Sequence, residues 1–186
     1  MGARGKEVET QRDTARIPLE TGRSEFDQIL KKHFRGPSMF WRTLLDDFPG
    51  LDERHLEAAY SIGFALFKQH KYEDAEKIFY CLAMMNHFEV RYWKALAVTL
   101  FIEHKYDAAL GVYLAAYFLN PSDIEVISAM ADCCLALENR EGAIEFFNQV
   151  VEVFQETQKR PDLAERAKGT LELIRQNTKN HEETVS

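Results

Sequence analysis

The chain has 186 residues, and 46% of them are hydrophobic, which is enough to bury a core in one domain. Its 30 acidic and 23 basic residues give a net charge of −7, which argues against nucleic acid as the partner because phosphate binding needs a basic face. No apolar run approaches the roughly 20 residues of a membrane helix, and the N-terminus lacks the apolar segment of a secretory signal. We therefore expect a cytoplasmic protein without direct membrane insertion.

The N-terminal part divides into a polar segment and two short predicted helices. Residues 1–22 are polar, mixed in charge and without helical period, and are predicted to be disordered. Residues 23–50 are assigned to helices at about Ser24–Phe34 and Met39–Phe48, separated by a Gly-Pro pair. The apolar side chains at helical spacing are Phe26, Ile29, Leu30 and Phe34 in the first helix and Phe40, Trp41, Leu44, Leu45 and Phe48 in the second.

A pattern of small and aromatic residues then recurs three times at a period of about 34 residues. Each copy has a small residue, an alanine twelve positions later and an aromatic residue four positions after that. The three sets are Gly63, Ala75 and Phe79; Ala97, Ala109 and Tyr113; and Ala131, Ala143 and Phe147. This period and these offsets are typical of the tetratricopeptide repeat, a helix–turn–helix unit that buries its apolar faces only by stacking.

We predict an all-α fold with three tandem tetratricopeptide repeats in a right-handed solenoid, preceded by the N-terminal helices. A last helix that begins at Pro161 has one apolar stripe and a charged opposite side, as expected of a helix that caps a solenoid. The predicted bounds are 51–178 for the repeat domain, 56–89, 90–123 and 124–157 for the repeats, 161–178 for the capping helix and 179–186 for a flexible tail.

The first helix of the first repeat carries two apolar stripes. One stripe, which is expected to pack within the array, consists of Ala59, Ile62, Gly63 and Leu66. The other places Tyr60, Phe64 and Phe67 at i, i+4 and i+7 on a different face. A helix that is apolar on two faces is buried on both, or one face awaits a partner. The aromatic stripe is thus either part of a binding groove or packed against the N-terminal helices or the tail.

We favour a groove with apolar pockets for an extended peptide, because the first helices of such repeats line the concave side of the array. The predicted groove residues are Tyr60, Phe64, Phe67, Lys68, Arg91, Lys94, Val98, Phe101, Ile102, Ser128, Asp132 and Leu135. Lys68 or Lys94 is expected to bond to a carbonyl or carboxylate group of the peptide.

Several runs in this register resemble a known family. The runs 59–67, 71–79, 86–93 and 106–109 are similar to the bacterial type III secretion class II chaperones, and the resemblance covers about residues 50–175. It implies a chaperone that holds hydrophobic translocator proteins soluble by binding their N-terminal segments in the concave groove. It also implies a homodimer through about 24–48, with contacts from Phe26, Ile29, Leu30, Phe34, Phe40, Trp41 and Leu44.

The sequence contains few of the motifs expected of an enzyme. It has no phosphate-binding glycine loop, no nucleophile motif and no paired metal-ligand spacing, so we expect neither catalysis nor a cofactor or metal. His70 and His104 recur with the repeat and are interpreted as turn residues. The adjacent Cys133-Cys134 pair is interpreted as small buried residues of a helix, since three cysteines in all fit a reducing compartment.

An ordinary repeat adaptor for some other peptide stays open as the alternative function. One form of it can be set aside, namely the carboxylate clamp that holds acidic C-terminal tails with groove asparagines and lysines. The sixth and ninth positions of the three repeats contain no asparagine. They are occupied by Ser61, Phe64, Ala95, Val98, Ala129 and Asp132.

Overall fold

The computed structural model describes residues 52–185, and their side chains as far as 177. This part of the chain forms seven α-helices and no strand. The predictions for 1–22, for the two N-terminal helices and for their dimer contacts lie outside the described residues. The helices are α1 (Glu53–Lys68), α2 (Tyr72–Met85), α3 (Val90–Ile102), α4 (Tyr106–Leu119), α5 (Ile124–Ala136), α6 (Arg140–Thr157) and α7 (Pro161–Val185).

The helices stack in chain order, each against the next one. In addition, α1 contacts α3 and α5 contacts α7, and the ion pair between Lys94 and Glu125 joins α3 to α5. These contacts put α1, α3 and α5 on the inner, concave side of the array, with α2, α4 and α6 behind them. The predicted all-α solenoid of tetratricopeptide type is confirmed for the described residues.

The recurring small residues lie where helices cross. All six of them are buried, and the aromatic residue of each set fills the space beside them. Gly63 shows how close the approach is, because a Cβ atom added there would lie 2.8 Å from Cε1 of Phe79. Small residues at these positions are therefore a condition for stacking the helices.

The turn inside each pair is closed by a residue in the left-handed conformation. These residues are His70 (φ 60°), His104 (φ 61°) and Glu138 (φ 58°). The N–H of the next residue donates to a carbonyl five positions earlier, as Lys105 does to Leu100 at 3.0 Å, and this satisfies the end of the first helix. A ring nitrogen of His70 also lies 2.7 Å from the hydroxyl of Tyr72. The interpretation of the two histidines as turn residues is confirmed.

Helix α1 begins three residues before the predicted start of the first repeat at 56. Its N-cap is Asp52, whose carboxylate accepts from the N–H groups of Arg54 at 3.0 Å and His55 at 3.2 Å. In return, the His55 ring accepts from the N–H of Asp52 at 3.2 Å. A reciprocal capping box with histidine in place of Glu or Gln extends the helix to Glu53.

The prediction that Ile62 packs within the array is wrong for the described residues, because this side chain is 56% exposed. The equivalent positions of the second and third repeats, Leu96 and Met130, are both 0% exposed. They face the preceding helices α2 and α4, whereas no described helix precedes α1. Position in the stack, rather than residue type, sets this difference.

The last helix also differs from its prediction. It reaches Val185 instead of ending near Thr178, so the chain is helical over most of the predicted flexible tail. The sequence after Thr178 contains neither proline nor glycine, so nothing local stops the helix. The stripe that packs it on α6 consists of Ala164, Ala167, Leu171 and Ile174, all buried. None of the described helices is long and apolar enough to cross a membrane.

Candidate functional site

The inner face of α1, α3 and α5 carries the predicted groove residues. Four large apolar side chains on it are partly open to solvent. They are Phe64 (45% exposed), Val98 (38%), Ile102 (37%) and Leu135 (38%). They come from the first helices of three consecutive repeats, so their shared register places them as an apolar band along the array. We call these four residues the apolar band.

The other predicted aromatic residues form the floor under this band. Tyr60 is half-buried, with its ring centroid 5.6 Å from those of both Phe79 and Tyr92 and 6.5 Å from that of Phe64. These contacts lie inside the repeats. Tyr60 thus supports Phe64, and its burial does not need the N-terminal helices.

Phe67 and Phe101 make the same contact in consecutive repeats. The rings of Phe67 and Tyr72 meet edge-on with their centroids 5.4 Å apart, and the centroids of Phe101 and Tyr106 are 5.2 Å apart in the same arrangement. Both phenylalanines are half-buried and pack against the core. They therefore have a structural role in the turn between two helices, as well as any contact with a ligand.

Lys94 is already engaged within the chain. Its ammonium group lies 2.9 Å from both the Asp123 and the Glu125 carboxylates. Burial alone would lower the pKa of Lys94, but the bonds to Glu125 and Asp123 outweigh it and raise the pKa above its ordinary value. The expectation that Lys94 bonds to a peptide is therefore weakened, because this would break two existing ion pairs.

Arg91 is held in the same way. Its guanidinium lies 3.3 Å from the Glu57 carboxylate and 3.2 Å from that of Glu89, and 5.5 Å from the Tyr60 ring centroid. The bonds to Glu89 and Glu57 raise the pKa of Arg91 further. Burial alone would raise the pKa of Glu89, but the bonds from Arg91 outweigh it and lower that pKa. The pair Glu57–Arg91 spans 34 residues and links α1 to α3.

The far end of the inner face is closed by a residue that sequence reasoning missed. Arg166 of α7 donates to the Ser128 hydroxyl at 2.8 Å and to the Asp132 carboxylate at 2.7 Å. Both partners were predicted peptide contacts, and Ser128 is only 2% exposed. The spacing of 34 residues between Asp132 and Arg166, equal to that of Glu57 and Arg91, is the signal that could have revealed it.

Lys68 differs from these cations. It is exposed, and its ammonium group lies 4.7 Å from the centroid of the Phe64 ring, an arrangement that favours a cation–π contact. Among the side chains described, no carboxylate pairs with it. Among the predicted groove cations, Lys68 is thus available to bond to a polar group of a ligand.

The inner face as a whole combines open apolar side chains with charges that, apart from Lys68, are paired within the chain. Such a surface suits the burial of an apolar, extended segment. Burial raises the pKa of the Cys133 thiol to about 12, so this thiol is unreactive near neutral pH. Cys133 and Cys134 are 0% and 1% exposed, which confirms their interpretation as small core residues.

No protein-family profile and no curated protein sequence matches this chain. Solved structures do match it. The type III secretion translocator chaperone SycD of Yersinia enterocolitica is 23% identical with a TM-score of 0.65, over 74% of this chain and 92% of SycD, and shows the shared fold. PcrH in complex with the chaperone binding region of PopD is 28% identical with a TM-score of 0.65, over 70% of this chain and 98% of PcrH.

The structure of PcrH from Pseudomonas aeruginosa has 30% identity and a TM-score of 0.62, over 67% of this chain and 95% of PcrH. The chain belongs to the class II translocator chaperones of type III secretion. The resemblance seen in its sequence is thereby confirmed. As a member of a chaperone family, it works by binding and not by catalysis.

Proposed function

We propose that this class II chaperone binds N-terminal apolar segments of hydrophobic translocator proteins in the groove formed by α1, α3 and α5. It thereby keeps these clients soluble and competent for secretion in the bacterial cytoplasm. The observation that carries the proposal is the apolar band, four solvent-open side chains on the inner face of the first helices of three consecutive repeats. Apolar side chains that share one concave face form a surface that an apolar partner segment can cover.

The resemblance to PcrH supports the choice of partner. PcrH has been solved with the chaperone binding regions of PopD and of PopB, so one chaperone of this fold takes two different ligands. A largely apolar groove suits this use, because burial is non-directional and tolerates sequence variation. We therefore expect this protein also to accept more than one client segment.

The groove supports moderate affinity. Filling three apolar pockets contributes about 5–9 kcal/mol at roughly 1.5–3 kcal/mol for each side chain. Ordering a flexible client segment takes back about 2–5 kcal/mol. Because Arg91, Lys94 and Arg166 are paired within the chain, apolar burial must supply most of the binding free energy, with Lys68 able to add a charge-assisted bond.

The test is co-expression of the full chain with the hydrophobic translocators of its source organism, followed by affinity purification and a solubility assay. The variants Phe64→Glu and Leu135→Glu place a charge in the apolar band, and both side chains are open enough for the fold to tolerate it. Leu119→Glu is the matched control, since Leu119 is 36% exposed on α4, one of the helices behind the inner face. We expect the two groove variants to lose co-purification while the control retains it.

Circular dichroism separates binding from folding in this experiment. Phe67→Ala is less suited to it, because Phe67 packs against the core and also contacts the Tyr72 ring. If the groove variants keep their helicity and still solubilise the client, the inner face is not the binding site. If no translocator binds the native chain, the proposed client class is wrong.

The homodimer implied by the resemblance stays a prediction, because residues 24–48 lie outside those described. Light scattering on the purified full chain measures its mass directly. A mass of one chain at micromolar concentration would contradict the prediction.

A further inference from the structure

A second apolar surface lies on α1, apart from the groove. It is formed by Ala58, Ile62 and Ala65 at i, i+4 and i+7, with the half-buried Ala59 and Leu66 at its edge. Ala58, Ile62 and Ala65 are all exposed. We call this surface the N-terminal face of α1.

The same face is fully covered in the two later repeats. The equivalent residues are Tyr92 (2% exposed), Leu96 (0%) and Thr99 (0%) in α3, and Val126, Met130 and Cys133 (each 0%) in α5. In those repeats the preceding helix, α2 or α4, packs on this side. The N-terminal face of α1 therefore has the register of a helix-packing surface but no described helix against it.

The junction before α1 is built like the junctions before α3 and α5. The linkers 86–89 and 120–123 each have four residues and end in an acidic N-cap that accepts from an N–H two positions on. Asp52, the N-cap of α1, makes the same bond to the N–H of Arg54. The helix predicted at 39–48 leaves 49–52, again four residues, before α1. A linker of this length brings a helix back beside the one that follows.

The predicted helix also offers the matching surface. Its apolar side chains Phe40, Trp41, Leu44, Leu45 and Phe48 lie on one side at helical spacing. They are large, whereas the N-terminal face of α1 consists mainly of alanines. Large residues against small ones is the combination by which Phe79 packs on Gly63 inside the first repeat.

We propose that residues 39–48 of the same chain dock as a helix on the N-terminal face of α1, in the place that α2 takes against α3. This goes beyond client binding, because the docked segment covers a face other than the groove and extends the array by one helix. It also gives Phe40, Trp41 and Leu44 an intramolecular role, which leaves the segment 24–34 for any contact between two copies.

Hydrogen exchange on the full chain, read out by peptides that cover 39–48, tests the proposal. In the native chain we expect these amides to exchange at least about tenfold more slowly than in an unstructured chain. Ile62→Glu should abolish this protection, and Leu173→Glu, which charges an equally exposed leucine elsewhere, should leave it intact. Absence of protection in the native chain overturns the proposal.

Two further measurements keep the result unambiguous. Leu45→Glu alters only the docking segment, so it should remove protection from 39–48 while α3 to α6 stay protected, even if Ile62→Glu disturbs folding. Docking within one chain is independent of protein concentration. If the protection falls on dilution in step with a dimer-to-monomer change in light scattering, a second copy covers the face and the proposal is overturned.

Discussion

Helices α1 and α3 occupy the same place in consecutive repeats, and their inner faces look alike. Phe64 of α1 is 45% exposed, and Val98, its equivalent in α3, is 38% exposed. Their opposite faces differ, because Ile62 is 56% exposed while Leu96 is fully buried under α2. Exposed apolar residues therefore have two different causes in this protein. On the inner face they recur in every repeat. On the N-terminal face of α1 they are exposed because the described stack ends there.

The largest expected effect comes from truncating the buried member of this pair. Leu96→Ala should lower the free energy of unfolding by about 2–5 kcal/mol, because it leaves a cavity between α2 and α3. In the full chain Ile62→Ala should cost a comparable amount, because we propose that residues 39–48 cover that side chain, and a clearly smaller loss would contradict this docking. Urea unfolding followed by circular dichroism measures both. Equal losses would mean that Ile62 is as well covered as Leu96, which the docking of 39–48 explains.

The next prediction concerns Gly63 of α1, whose equivalent in α3 is Ala97. Gly63→Ala should destabilise by about 1–3 kcal/mol, because the new Cβ would lie 2.8 Å from Cε1 of Phe79 and the ring must move. Gly169→Ala is the control, since nothing lies within 4 Å of its Cβ position on α7. There we expect a gain of up to about 1 kcal/mol. Thermal unfolding of both variants shows whether each substitution stabilises or destabilises the fold. No change for Gly63→Ala would show that α1 and α2 are packed less closely than the 2.8 Å distance indicates.

A smaller effect is expected at Lys94, which stands in α3 where α1 has Tyr60. Lys94→Met should lower the free energy of unfolding by about 0.5–1 kcal/mol by removing its pairs with Asp123 and Glu125. It should leave client binding within about twofold, whereas Lys68→Met, next to Phe64, should weaken binding more. Isothermal titration with a client segment compares them. The reverse order would show that Lys94 leaves its carboxylates for the client.

The smallest effect is the pH dependence of the link between Glu57, Arg91 and Glu89. Since the pKa of Glu89 is lowered in the folded chain, its contribution is fully present above the ordinary value of 4.5 and is lost as pH falls through the lowered pKa. Glu89→Gln should therefore cost about 0.5 kcal/mol at pH 7 and progressively less as pH falls below 4.5. Urea unfolding at pH 7 and at a series of pH values below 4.5 checks this. A cost that persists at low pH would point to helix capping instead of charge.

Much of the fold could be predicted because it depends on local, repeated chemistry. The regular recurrence of small and aromatic residues indicated the helix pairs, and the histidines before Lys-Tyr indicated the turns. Asp123, the last residue of an Asn-Pro-Ser-Asp run, is the N-cap of α5, and a run of this composition marks a helix start in the sequence. The burial of Cys133 and Cys134 followed from their place in an apolar helix. Each of these signals acts within one or two turns of helix or between adjacent repeats of known register.

The candidate site was only partly predictable. The apolar band lies where the register placed it, because groove positions recur with the repeat. Lys94 and Arg91 were predicted to contact a peptide, but in the structure each is paired with a carboxylate from another part of the stack. Arg166 was missed altogether, although it closes the inner face through Ser128 and Asp132. These long side chains pair with carboxylates about one repeat away in the sequence. A single sequence does not show which of several carboxylates each one contacts.

The sequence by itself determined that this protein is a stack of helical pairs with apolar side chains left over on the inner face. Periodicity of small, aromatic and apolar residues is enough for that, because backbone geometry converts spacing directly into faces. Only the tertiary structure decided which leftover residues stay open. Ile62 and Leu96 have the same register and similar chemistry, and their burial differs because α2 precedes one of them and no described helix precedes the other.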